Sequence, residues 1–234
     1  MANTVAPTAY IPRVAVITGS AQGIGREIAL RLAADGLDIA LNDIPRQTEK
    51  LEALVEEIKA KGRKAIYVTG DVTSEDDIKN LINTTVEKLG SVDVMVANAG
   101  IGPAGEILEL DVADFDKVIA INLRGVFLSY KYAAAQMVKQ ATGGRIIAKE
   151  LAPHAITVNA YVPGIIRTDL IKHPADAELG GAAGSALKWR MGIPLDSPDA
   201  EPDVVASVVS YLVKPEAYFI TGQSIPITGG LWMD

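Results

Sequence analysis

The sequence predicts a doubly wound α/β domain with a mainly parallel sheet, and three observations carry that expectation. Apolar runs of strand length alternate with longer stretches whose apolar residues recur at helical spacing. The runs are apolar throughout instead of alternating with polar residues, as strands buried on both faces must be. Turns of small residues stand at their carboxyl ends, where such a sheet binds its ligands.

Taken in order, RVAVIT (13–18) is the first strand, and GREIALRLAAD is a helix that Gly36 stops. DIALND (38–43) is the second strand, followed by a charged amphipathic helix around LEALVEEIKAK that closes at Gly62. KAIYVTGDV carries the third strand, which ends at Asp71 and Val72. Ser74 then opens a helix, with Asp77 three residues on in the manner of a capping box. VDVMVANAG (92–100) is the fourth strand, ending at Asn98, Ala99 and Gly100, and one long helix covers roughly 112–141. A fifth strand ends at Ile147 and a sixth begins at Ile156. Residues 169–198 break the alternation with Gly180, Gly181, Gly184, Pro174, Pro194 and Pro198, the composition of a substrate lid. No linker, low-complexity tract or heptad array divides the 234 residues, so residues 1–234 are expected to form a single domain.

Composition excludes several function classes. Lys and Arg number 22 against 29 Asp and Glu, a net charge of −7 with no dense basic run, which argues against a nucleic-acid partner. Without cysteine there is no disulfide, thiolate nucleophile or thiolate metal site. His154 and His173 are isolated and no HExxH is present, so no metal is expected. MANTVAPTAYIP lacks the charged and apolar regions of a signal peptide, and no apolar stretch reaches the roughly 18 residues of a membrane span. The expectation is a cytoplasmic protein with no membrane partner.

TGSAQGIG (18–25) lies at the end of the first strand. Gly19 allows a tight turn, Gly23 lets backbone approach a pyrophosphate, and Gly25 lets the helix pack closely, with the helix N-terminus offering free N–H groups to phosphate. Asp43 ends the second strand 18 residues after Gly25, near the spacing at which a carboxylate accepts hydrogen bonds from an adenosine ribose. Such a carboxylate welcomes a 2′-hydroxyl and repels a 2′-phosphate, favouring NAD(H) over NADP(H); Arg46 opposes that preference. An acceptor at Asp71–Val72 would suit the adenine amino group. Together these features describe a Rossmann-type domain.

TGSAQGIG, Asp71–Val72, NAG at 98–100, Asn122 in INLRGVF, PGIIRT (163–168) and YFITGQSIPITGG resemble, in order, the motifs of the short-chain dehydrogenase/reductases over nearly the whole chain. The resemblance implies a cofactor shell of Gly19, Gln22, Gly23, Ile24, Gly25, Asp43, Ile44, Asp71, Val72, Asn98, Ala99, Gly100, Pro163, Gly164, Ile166 and Thr168. Pro163, Gly164 and Thr168 would border the nicotinamide, Thr168 bonding its carboxamide. Asn122 would help hold a proton relay. The resemblance also implies a homotetramer or homodimer, and AKELAPHAITVNAYVPGI is most similar to the acetoin and diacetyl reductases, or butanediol dehydrogenases.

What the resemblance requires and the sequence lacks is a Tyr and a Lys four residues apart, which share one helix face, with a Ser shortly before them. The ammonium would lower the phenol pKa toward the working pH, and the Ser would hold the carbonyl oxygen. None of the seven tyrosines has Lys at i+4. Ser129, Tyr130, Lys131 and Tyr132 are adjacent in a helix and point to different faces, so they read as an ordinary helix surface and packing face. Asn122 alone remains as a catalytic candidate, with a second reading as a buried Asn bonding backbone in a distorted helix. Between Ile147 and Ile156 only eight residues remain for a parallel crossover, which normally needs a dozen or more and a helix. The expectation is that roughly thirty residues, the scale of a βαβ unit, are missing between Ile147 and Ala148.

Two function classes follow. One is an NAD(H)-dependent oxidoreductase interconverting a small ketone or diketone and a secondary alcohol, with a carbonyl or alcohol as its small-molecule partner. The other is a catalytically inactive nucleotide-binding or assembly protein with a genuine deletion of the active-site helix.

Overall fold

The computed structural model describes residues 10–102, 108–146 and 149–231. Strands β1 (Val14–Thr18), β2 (Asp38–Asp43), β3 (Ala65–Thr69) and β4 (Val94–Val96) lie side by side in the order β3-β2-β1-β4, all parallel. Their apolar runs face helices on both sides. α1 (Gly23–Ala34) and α2 (Thr48–Ala60) cover one face through Ile28, Leu32, Leu51, Leu54 and Ile58, joined by α7 (Asp203–Leu212). On the other face, α3 (Glu75–Leu89) and α5 (Val126–Gln140) bury Ile78, Leu81, Leu128 and Met137 against Val16, Ala40 and Val68. The buried rows recur at 3.6-residue spacing, which is why these segments are helices.

Several boundaries differ from expectation. β3 ends at Thr69 and β4 at Val96, so Asp71–Val72 and Asn98–Gly100 lie in the turns beyond the strands. The Ser74 hydroxyl caps α3 by accepting from the Asp77 N–H at 3.2 Å, but the Asp77 carboxylate takes the Asp71 N–H at 2.8 Å instead of completing the capping box. Its carboxylate thereby ties the post-β3 turn to the helix. The long helix is α4 (Val112–Ile119), a π-helical turn (Ala120–Gly125) and α5 in succession. A Cβ at Gly125 would press on the Val72 side chain at 2.8 Å, so the turn beyond β3 and the π-helical turn approach too closely for any side chain there.

The carboxyl-terminal strands are shorter. β5 (Gly144–Arg145) pairs with β4 through the single register pair Val94↔Arg145, and with β6 (Ile156–Thr157) over two residues. The chain then turns at Val158 into β7 (Asn159–Pro163), which leaves the six-stranded sheet and pairs in parallel with β8 (Gln223–Ile227). The expected junction at 147 and 148 lies outside the described residues. On its far side a 3-10 helix (Lys149–His154) stands where the sequence suggests a helix tail. The expected lid contains two 3-10 turns, Asp169–Ile171 and Pro174–Leu179, and the short α6 (Ser185–Arg190).

Candidate functional site

The turn between β1 and α1 is built against the end of β4. Gly19 has φ +62°, and a Cβ there would fall 2.7 Å from the Ala99 Cα, so glycine is required by conformation and by contact alike. A Cβ at Gly25 would collide with the Gly19 carbonyl and sit 2.5 Å from the Asn98 amide nitrogen. Asn98 holds this geometry: its Nδ2 donates to the Thr18 and Gly19 carbonyls at 3.0 and 3.1 Å, and its backbone N–H donates to Thr18 Oγ1 at 3.1 Å. The Ala99 N–H shares the same hydroxyl. Thr18 therefore knots strand, turn and the 98–100 segment together, a role sequence reasoning missed although Thr18 opens the quoted motif.

Asp43 reaches the turn from β2. Its carboxylate accepts from the Ala21 N–H at 3.1 Å and from the Ile44 N–H at 2.9 Å. Gln22, the residue before α1, makes no side-chain cap; its Oε1 accepts from Lys50 Nζ at 2.6 Å. The first turn of α1 thus keeps N–H groups uncapped by any side chain beside two positive-φ glycines, Gly19 and Gly23. That combination fits a dinucleotide: free N–H groups and the helix dipole would favour a pyrophosphate, and the Asp43 carboxylate beside the turn would suit a ribose hydroxyl.

Asp71 has turned its carboxylate to the Thr73 N–H at 2.9 Å, and Val72 is buried against Gly125. Asn122 clasps one residue with both ends of its amide, accepting from the Ile101 N–H at 3.0 Å and donating to the Ile101 carbonyl at 2.8 Å. It bonds backbone in a distorted helix as expected, but from an exposed position. Gly100 stands beside the same amide. On the opposite wall, a Cβ on Gly23 would meet the Thr168 methyl at 3.3 Å, so 163–168 does converge on the dinucleotide turn. Gly164 lies against Thr228, with 2.9 Å from a would-be Cβ to its Cα. Ile166 is buried in the core, and Ile24 and Pro163 line the neighbouring cavity.

That cavity, about 340 Å³, is walled by Met95 and Val96 of β4, Asn98 beyond it, Tyr130 of α5, Ile146 after β5 and Tyr161 of β7. Tyr161 donates to Asn98 Oδ1 at 3.0 Å. Burial pushes Tyr130 up to about 12, and burial, with Tyr130 second, pushes Tyr161 up as well. Neither phenol is tuned toward neutral pH as an acid or base requires. Tyr132 and Lys131 point elsewhere: Tyr132 donates to Glu75, and the Lys131 ammonium lies 3.7 Å from the same carboxylate. Among the described residues, the buried Thr157 Oγ1 and Arg145 Nε at the cavity's edge have no hydrogen-bond partner, as is also true of Asn42 Oδ1, Arg63 Nε and Ser129 Oγ elsewhere in the fold. Among the described residues no group of three His, Cys, Asp or Glu is placed to hold a metal, and no helix is long and apolar enough to cross a membrane.

Comparison with known proteins assigns this architecture. Residues 13–148 match the family model described as short chain dehydrogenase, and residues 141–232 that described as enoyl-(acyl carrier protein) reductase. A short-chain dehydrogenase/reductase of Hericium erinaceus is 42% identical over 250 positions, covering 93% of this chain and 96% of its own. An L-2,3-butanediol dehydrogenase of Corynebacterium glutamicum is 34% identical, with coverage of 94% and 98%. A 3-oxoacyl-[acyl-carrier-protein] reductase of Staphylococcus epidermidis is 35% identical, with coverage of 94% and 98%. Among solved structures, a Burkholderia cenocepacia short chain dehydrogenase in complex with NADP superposes with TM-score 0.79 at 32% identity, covering 93% and 97% of the two chains. One from Mycobacterium paratuberculosis bound to NAD gives 0.82 at 25% identity, covering 93% and 97%.

Proposed function

The chain belongs to the short chain dehydrogenase family, and from that premise we propose that it binds NAD(H) and serves the interconversion of a small ketone or diketone and a secondary alcohol. When bound, the nicotinamide supplies or accepts the hydride. The chain's own residues do the rest: the Gly19–Gly25 turn and α1 hold the pyrophosphate, Asp43 the ribose, and Pro163, Gly164 and Thr168 the nicotinamide side. The Asp43 carboxylate at the end of β2, bonded to the Ala21 N–H of the turn, is the observation that supports NAD(H) over NADP(H), since a 2′-phosphate beside it would meet a like charge. Acetoin or diacetyl is the substrate the butanediol dehydrogenase match favours. A 3-oxoacyl ketone is the competitor, and the exposed Trp189, Met191 and Leu195 of the lid suit either.

We further propose that the catalytic form carries about thirty residues more between Ile147 and Ala148. The Hericium match draws on 93% of 234 residues, about 218, so about 32 of its 250 positions lack a counterpart here. A cavity bordered by Arg145, Ile146 and Thr157, beside the end of β5, supports that reading. That none of the seven tyrosines has a lysine four residues on favours a second reading for the chain as it stands, a nucleotide-binding protein without turnover. Val112, Phe115, Ile119, Leu123 and Phe127 form an exposed apolar row along α4 and α5 that supports a homodimer or homotetramer. A cytoplasmic location agrees with the absence of cysteine.

The test compares this chain with a chimera carrying the corresponding segment of the Hericium relative at the junction. NADH oxidation with diacetyl should be at least about 10²-fold faster in the chimera, the usual contribution of general acid–base catalysis. Both proteins should bind NADH more tightly than NADPH. Turnover of the present chain within about tenfold of the chimera, a barrier difference of about 1.4 kcal/mol, would refute the missing-segment reading.

A further inference from the structure

Lys188, in α6 of the lid, is 3% exposed and is the most deeply buried cation among the described residues. All three ammonium donors are used: Nζ reaches the Leu195 carbonyl at 3.2 Å, the Ser197 carbonyl at 2.7 Å and Asp199 Oδ2 at 2.7 Å. Burying an ammonium is costly unless each donor is matched, and an ordinary surface loop has no need of one. The network continues. Arg167 also pairs with Asp199 and, through Nε, with Glu201 at 2.7 Å. Its backbone N–H donates to the Ala200 carbonyl at 2.8 Å, and the Ala200 N–H returns to the Ile165 carbonyl at 3.0 Å. A second buried charge fixes the lid's near end: the Asp176 carboxylate accepts from the Ala186, His173 and Gly184 N–H groups at 2.8, 2.9 and 3.3 Å. The segment composed like a flexible lid is thus folded around two buried charges, and one of them is wired to the residues that touch Gly23.

We propose that Lys188 is a positioning residue: through Asp199 and Arg167 it sets the 163–168 loop against the dinucleotide turn, so that lid and loop hold their places as one unit. The significance for cofactor binding rests on the functional reading above; the mechanical coupling does not.

Two variants test it, Lys188→Met and Arg167→Gln, the second severing the link from the half-exposed loop side while leaving the lysine its three acceptors. Hydrogen exchange without cofactor is followed at the Arg167 and Ala200 amides, in the lid at 174–190 and in α2, and NADH affinity is measured by fluorescence well below each melting temperature. In both variants the Arg167 and Ala200 amides should exchange about tenfold faster and NADH bind about fivefold more weakly, with α2 unchanged. Only Lys188→Met should also loosen 174–190. Parental exchange at Arg167 and Ala200 in Arg167→Gln, or a Lys188→Met protein that merely melts earlier with its loop amides as protected as before, overturns the proposal. Should the parent fail to bind NADH, the functional reading falls, and the exchange comparison still decides the role of Lys188.

Discussion

The region from β1 to β4 and the region from β5 to β8 are both built of apolar strands with glycine turns, yet they are finished to different degrees. In the first, β1 is buried at all five positions and paired on both sides, and the Asp93 carboxylate accepts from the Arg13 and Val14 N–H groups and from the Ser91 hydroxyl. In the second, β5 among the described residues has two residues and one register pair to β4, and a cavity borders it. Interiors normally exclude voids, so the contrast marks which described region is the less closely packed. The β1–β4 region is closely packed along its strands, and the β5–β8 region borders a cavity.

The largest effect, on cofactor affinity, is expected at Gly25. A methyl group there has nowhere to go, because the obstructing atoms are the Gly19 backbone and the Asn98 amide that holds the turn. Gly25→Ala should cost about 1–3 kcal/mol from overpacking, a fall of several degrees in melting temperature, and NADH affinity should drop by about 10²-fold or more. Titration with NADH measures it. Affinity within about twofold of the parent would mean the turn is not the cofactor cradle.

A smaller effect is the difference in stability between two like truncations. Ile39 in β2 is fully buried in close-packed surroundings, whereas Ile146, also buried, borders the cavity. Ile39→Ala should cost about 2–5 kcal/mol, the range for truncating a core isoleucine. Ile146→Ala should cost less than half as much, because part of its environment is already empty. Urea denaturation of the two variants gives the ratio directly, and equal losses would show that the second region packs as well as the first.

The sequence made the dinucleotide half legible for a physical reason: its strands are apolar throughout, its helices periodic, and its glycines are forced by backbone approach, so each signal is local. DIALND is β2 residue for residue. Asn98 was readable as a strand-end residue but not as the bolt of the Gly19 turn, because that bond joins residues 79 positions apart. Asp77 misled for a related reason, since the backbone N–H it serves belongs to Asp71, not Ser74. The lid's glycines and prolines suggested mobility, and nothing local announced that Asp176 and Lys188 are buried hubs, whose partners come from turns that only the fold assembles.

The smallest effect concerns two buried threonines. Thr85 in α3 donates its hydroxyl to the Leu81 carbonyl at 2.7 Å, whereas the Thr157 hydroxyl in β6 has no partner among the described residues. Valine replaces either side chain at nearly constant volume and deletes only the hydroxyl. Thr85→Val should therefore cost about 1 kcal/mol, the net worth of a satisfied hydrogen bond, while Thr157→Val should be neutral or stabilising, because it removes a hydroxyl that lost water without gaining a bond. In the chimera with the restored segment the second result should reverse sign if that segment supplies the partner. Chemical denaturation of both variants in both backgrounds measures it, and a Thr157→Val penalty already equal to that of Thr85→Val in the present chain would show that the end of β6 is satisfied without any added residues.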